Sequence, residues 1–241
     1  MKTIRINRIC QLAILGIILL FTTSCNKSID TSVTTPKSMI TVTDIDGNIY
    51  HADSIGTQVW MIENLKTTKF NDGTPIPNVT DNAAWSILYT PGYSWQNNDI
   101  SNKTTYGALY NWFAVSSGNL CPAGWHVATD ADWTTLINYL GGENVAGGKL
   151  KEAGISHWKL PNSGGNNLSG FLALPGGYRD YNGVFGPSAG IGYSAYFWSS
   201  TENSINDAWY RSLDYADYGV VRLDLYKLNG LSVRCVKDQV Q

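Results

Sequence analysis

The spacing of apolar and polar positions changes several times along this chain of 241 residues, and each change predicts an element. The clearest helical period lies mid-chain, where Trp133, Leu136, Ile137 and Leu140 fall on one face. Thr129 is suited to N-cap that helix. Asp132 stands where a carboxylate reaches back to free amides, and Gly141-Gly142 stops the run. A second, weaker helix is predicted over about residues 145–153, where the adjacent Gly147 and Gly148 cost stability that packing must restore. Period-two stretches predict strands elsewhere. Residues 42–45 and 49–52 flank an Asp46-Gly47 turn, and Gly56-Thr57 turns again before residues 58–61. Asn71-Asp72-Gly73, with Pro75 and Pro77 beyond it, closes this region. Residues 78–101 read as a long loop carrying Trp85, Trp95 and several tyrosines. Residues 171–179 read as a strand running into a turn, and residues 197–201, 208–215, 220–226 and 232–236 as strands. Strands at both ends with helices between them predict an α+β domain.

The first 24 residues stand apart. Lys2, Arg5 and Arg8 precede an apolar run from Ile9 to Phe21 that is short of the ~18 residues of a spanning helix, which is the pattern of an export signal. It ends in Thr22-Thr23-Ser24-Cys25, which resembles the lipobox of bacterial lipoproteins, with Thr22 in place of the usual aliphatic residue. The resemblance implies that Cys25 is diacylated and becomes the new N-terminus; the bland alternative is an ordinary signal peptide with an incidental cysteine. Residues 25–40 are expected to be a flexible tether, whose polar run 26–38 could at ~3.3 Å per residue hold a domain up to ~45 Å from a bilayer. Residues 41–238 then form the domain. The expected location is the cell envelope, lipid-anchored, with the outer membrane or cell surface favoured and the leaflet open.

Charge and cysteine usage narrow the classes. Three of the 17 basic residues leave with the signal, so 14 face 19 acidic ones, a formal net of −5 that argues against a nucleic-acid surface. Nine Trp, 14 Tyr and 24 Gly with only 15% charged residues describe a domain whose long loops pack on aromatic anchors. Cys121 and Cys235 are the domain's two cysteines, and in an oxidising compartment they are expected to form a disulfide worth ~4–5 kcal/mol in the chain-entropy model.

Seven ordered segments carry a resemblance. Trp60-Met61-Ile62-Glu63-Asn64-Leu65, Tyr106-Gly107-Ala108-Leu109-Tyr110-Asn111-Trp112, Cys121-Pro122-Ala123-Gly124-Trp125-His126-Val127, Gly147-Gly148-Lys149-Leu150-Lys151, Leu174-Pro175-Gly176-Gly177-Tyr178-Arg179, Trp198-Ser199-Ser200-Thr201-Glu202 and Ser232-Val233-Arg234-Cys235 are similar to the successive signatures of the Fibrobacter succinogenes major paralogous domain. The family is found in exported lipoproteins and implies no particular activity. Its outline is similar to formylglycine-generating-enzyme and C-type-lectin-like folds, which implies short antiparallel strands, two helices, long loops and one disulfide, and nothing about function.

Candidate chemistry is thin on the enzymatic side. An oxidase of the formylglycine-generating type needs a reactive cysteine pair, whereas Cys121 and Cys235 are better used as a disulfide. His51, His126 and His157 are scattered without ligand spacing, and His126 is expected to be structural. No catalysis is expected. A binding reading rests on the loop-rich stretch after Gly176, where Tyr178, Arg179, Asp180, Tyr181 and Asn182 are followed by Tyr193, Tyr196, Glu202 and Asn203. Aromatic faces beside amides and carboxylates suit sugar rings; Trp198 and Trp209 lie on strands and are expected to be core, and the bland alternative for Tyr178 and Arg179 is that they lock a turn. Glu202, Asn203 and Asp207 offer oxygens of the kind calcium takes, but their spacing matches no metal signature, so no metal or cofactor is assigned. The expected function is a membrane-anchored extracytoplasmic binding or surface-interaction module, with glycans one candidate ligand class. The alternative is a structural envelope or assembly lipoprotein that contacts protein partners.

Overall fold

The computed structural model describes residues 40–186 and 190–239. The expected export signal, Cys25 and the expected tether through residue 39 lie outside the described residues, while Ile40, the last residue expected in the tether, already belongs to the first strand. The fold is mostly antiparallel strands with a few short helices, and its strands form three sheets. The first sheet has five strands: β1 (Ile40–Thr43), β2 (Ile49–Ile55), β3 (Gln58–Met61), β6 (Trp125–Val127) and β10 (Cys235–Lys237), in the order β1-β2-β3-β10-β6. A last strand inserted between β3 and β6 ties the two ends of the domain together. The second sheet pairs β4 (Tyr93–Trp95) with β5 (Ala108–Tyr110), and the third runs β7 (Ser194–Glu202), β8 (Asp207–Asp214) and β9 (Val221–Tyr226). Five helices connect them: α1 (Asn82–Ser86), α2 (Lys103–Tyr106), α3 (Trp112–Val115), α4 (Asp130–Tyr139) and α5 (Glu143–Leu150).

Helix α4 forms as its sequence signals require. Thr129 accepts from the Asp132 amide, and the Asp132 carboxylate accepts from the Thr129 amide, a reciprocal cap. Trp133, Leu136 and Ile137 are buried in an aromatic-rich core, where the Trp133 ring lies 4.9 Å from Trp60, 5.6 Å from Phe171 and 5.4 Å from Phe197. A second core, around Tyr50, Met61, Trp95, Tyr110 and Trp112, fills the other side of β7. Residues alternate between the two along that strand: Phe197 joins the first core and Trp198 the second.

Several boundaries differ from the sequence pattern. The first hairpin loop spans residues 44–48 instead of two residues. The Asp44 carboxylate organises it by accepting from the Asp46 and Asn48 amides and the Tyr50 hydroxyl. Helix α5 starts earlier than expected and stops at Leu150, because Lys151 leaves to bridge Ala173. Its paired glycines are contact surfaces, since a Cβ on Gly147 would sit 1.9 Å from the Gly219 carbonyl oxygen and one on Gly148 2.6 Å from that of Gly164. Residues 171–179 do not form a strand. Leu172 at φ 53°, Pro175 and Gly177 at φ 66° interrupt it, leaving isolated bridges at Ala173, Gly177 and Arg179. The long loop 78–101 contains α1, capped by Asp81, and strand β4. Trp198 is core as expected, while Trp209 is only half-buried, under the Arg222 guanidinium at 3.5 Å.

The predicted disulfide is present. Cys121 and Cys235 are bonded with their Cα atoms 6.1 Å apart across 114 residues of sequence. Both are buried, so the bond staples the start of β6's approach to β10 inside the core. No helix among the described residues is long and apolar enough to cross a membrane.

Candidate functional site

The loop-rich face is held together by buried cations. Arg179 is fully buried. Its Nε donates to the Gly183 carbonyl at 2.8 Å, Nη1 donates to the Val79 carbonyl, and Nη2 donates to Thr80 O and Asn82 Oδ1, each at 3.1 Å. Its guanidinium also lies 4.3 Å from the centre of the Trp85 ring, and burial pushes its pKa down to about 10. This one side chain therefore draws the turn at residues 180–183 onto the start of α1. Gly183 comes so close to Asn82 that a Cβ there would meet the Asn82 Cα at 2.7 Å. Asp180 completes the turn by accepting from the Asn182 and Val184 amides at 2.9 and 2.8 Å. Asp180 and Asn182 shape the loop, and Arg179 locks it from beneath.

Tyr181 is what that turn presents. It is 49% exposed, and its ring packs edge-on against Tyr226 with centroids 5.9 Å apart. The Tyr226 hydroxyl shares a 3.2 Å hydrogen bond with the Tyr89 hydroxyl, and Tyr89 packs edge-on against Phe113 at 6.0 Å. Three of these rings, Tyr89, Phe113 and Tyr226, line a cleft of about 220 Å³ whose wall is completed by Ile205, Asn206, Lys227 and Leu228, with Tyr181 packed on the Tyr226 side. The β7–β8 connection supplies Ile205 and Asn206 and is pinned by Lys227. That ammonium donates to Ser204 O and Ile205 O at 2.9 and 2.8 Å and pairs with Glu202. Asn203 donates to the Asp224 carboxylate at 2.6 Å. Glu202 and Asn203 thus brace the connection beside the cleft.

The remaining sequence candidates lie elsewhere. Tyr178 and Tyr196 are half-buried against each other, centroids 4.8 Å apart, and burial raises both phenols above the ordinary value. Tyr193 sits at the opposite end of the β7–β8 hairpin, packed on Tyr215 at 5.6 Å with the Lys159 ammonium 4.7 Å from its ring centre. So none of the sequence candidates lines the cleft itself: Tyr181 packs on its Tyr226 wall, Glu202 pairs with its Lys227, Asn203 braces the adjoining connection, Arg179, Asp180 and Asn182 fix the turn that carries Tyr181, and Tyr178, Tyr193 and Tyr196 pack elsewhere. Tyr89, Phe113 and Tyr226 were not among the expected residues. They come from three distant segments, and no local spacing links them.

His126 was read as structural, and both of its ring nitrogens are engaged. Nδ1 lies 2.6 Å from an Asp238 carboxylate oxygen and Nε2 3.0 Å from one of Asp132. Both carboxylates are acceptors, so the pair favours the protonated ring. The hydrogen bond to Asp132 is the main cause of its raised pKa, and Asp132 in turn is lowered to about 2 against the cost of its burial. A neighbouring cavity of about 280 Å³ is bounded by His126, Cys121, Val115 and Ser200, and both ring nitrogens of that histidine are engaged by carboxylates. Among the described residues no three His, Cys, Asp or Glu side chains are grouped to hold a metal ion. No curated protein and no solved structure matches this chain. The Fibrobacter succinogenes major domain matches residues 54–237, from β2 through β10, and the chain belongs to that family.

Proposed function

We propose that this protein is a lipid-anchored, extracytoplasmic binding module that takes a glycan at the Tyr89–Tyr226–Tyr181 cleft and performs no catalysis. The observation that carries this reading is the cleft itself: Tyr89, Phe113 and Tyr226 rings beside Asn206 and Lys227, with the exposed Tyr181 ring packed on Tyr226, on loops fixed from below. Ring faces stack on the C–H faces of a sugar, while the tyrosine hydroxyls and the Asn206 amide exchange hydrogen bonds with its hydroxyls. Anchoring through Cys25 and the polar tether would hold this face outward from the envelope. Kinship with C-type-lectin-like folds is part of the same proposal, supported by terminal strands sharing one sheet and by two longer helices beside long loops.

Screening on a glycan array, followed by titration of any hit, tests the proposal. Tyr89→Ala and Tyr181→Ala should each weaken binding at least about tenfold, in line with ~1.4 kcal/mol per lost stacking ring. Absence of any hit, or a hit indifferent to both substitutions, contradicts the sugar reading. A second reading, an envelope lipoprotein that contacts proteins, is favoured by Ile205, which is 87% exposed at the rim. Crosslinking from Ile205 in intact cells separates the two.

A further inference from the structure

Strand β9 closes one side of the third sheet, and among the described residues no strand pairs with its outer side. The ladder determines which backbone groups point outward. The Lys227 amide donates to the Asn206 carbonyl at 2.9 Å in continuation of the β8–β9 register, so Leu225, Leu223 and Val221 direct their backbone groups toward β8. Tyr226, Asp224 and Arg222 direct theirs away. Both ends of this outer row are engaged within the domain: the Val220 amide donates to Glu143 O, and Tyr226 O accepts from the Asn229 amide. Between them Arg222 and Asp224 present two open backbone positions. Beside them Val221 and Leu223 are 43% and 51% exposed, an apolar pair on a strand edge.

We propose that β9 pairs antiparallel with β9 of a second copy of this chain, about a two-fold axis through Leu223, to give a continuous six-stranded sheet. The pattern of outward groups admits pairings centred on Arg222, Leu223 or Asp224. Centring on Arg222 opposes two guanidinium groups, and centring on Asp224 opposes two carboxylates. Centring on Leu223 places Arg222 opposite Asp224 of the second copy, twice, on one face. On the other face it places Leu223 against its own copy and Val221 against Leu225. The two open positions then form four intermolecular hydrogen bonds. Charged residues on an edge strand ordinarily discourage pairing, but opposite charges two residues apart discourage every register except a self-complementary one. Arg222 is held flat for this role by its stack on Trp209 and by Asp130, whose carboxylate accepts from its Nη2 at 2.9 Å.

The test uses the full chain in detergent, with Leu223→Cys and Val221→Cys variants exposed to mild oxidant. In the proposed register the two Leu223 Cα atoms are about 4.5–5.5 Å apart, within disulfide reach, while the two Val221 Cα atoms are about 13 Å apart, beyond it. Leu223→Cys should give a covalent dimer and Val221→Cys none. Light scattering should give twice the chain mass for the wild type and the single mass for Asp224→Pro, which removes an outward amide without touching the β8 ladder. A wild-type mass of one chain, crosslinking at Val221 as readily as at Leu223, or a Leu223→Cys product containing a different polypeptide overturns the proposal. If Asp224→Pro does not fold, the cysteine pair alone decides. Neither readout depends on whether the cleft binds a glycan.

Discussion

The α4 side of the domain and the Tyr181 face are fastened by different forces. Around α4, aromatic and aliphatic side chains interlock: Trp133, Trp60, Phe171 and Phe197 fill one core, and the helix is held by many small contacts plus its cap. On the Tyr181 face single buried cations bind backbone carbonyls from several loops at once, Arg179 while stacked on Trp85. Arg179 joins residues 79–82 to the turn at 180–183, and Lys227 pins the β7–β8 connection. The same device recurs deeper in the molecule. Arg234 donates to Met61 O, Phe171 O and Leu172 O, and Lys151 to Ser163 O, Asp214 O and Asp217 O. Burial lowers these two to about 9 and about 8. A loop-rich domain thus keeps irregular backbone inside by giving its carbonyls charged donors, and it can then present a defined aromatic cleft on loops that would otherwise drift.

This contrast predicts unequal responses to substitution. Trp133→Ala should have the largest effect, about 3–5 kcal/mol, and should lower the stability of the whole domain in a single transition measured by denaturant unfolding. A loss confined to one segment would erase the distinction between the two regions. The smallest effect belongs to the polar contact at the α4 N-terminus. His126 is raised in the folded state, so its stabilising contribution is fully present below about pH 6.5, the unfolded value, and is lost as pH rises through the folded value. Melting temperature should therefore decline across that window in the wild type and be flatter in His126→Gln. The difference should not exceed about 1 kcal/mol because the ring is partly exposed to solvent. Asp132 works in the opposite direction: its contribution is present above about pH 3.9 and lost as pH falls toward about 2.

What the sequence made legible follows the same division. Thr129, Asp132 and Trp133 announced α4 because a helix is written in local periodicity and caps, and the Gly56-Thr57 hairpin was legible for the same reason. The cysteine pair was legible because residues 41–238 hold only these two cysteines. Residues 171–179 looked like a strand from composition, but left-handed and proline positions override propensity there. The candidate site was half visible. Tyr181, Glu202 and Asn203, which flank the cleft, were found from one stretch of sequence, whereas Tyr89, Phe113 and Tyr226 reach the cleft from segments whose proximity is determined by Arg179 and Lys227. A buried arginine bonded to carbonyls about a hundred residues away has no period and no spacing by which to be recognised.

Arg179 builds the Tyr181 face, so native-state hydrogen exchange of Arg179→Met should differ from the wild type there and not around α4. Amides of residues 79–82 and 180–184 should exchange at least about tenfold faster, the equivalent of ~1.4 kcal/mol of local protection, while residues 130–139 keep theirs. Unchanged protection at 180–184, or equal acceleration in both regions, would contradict it.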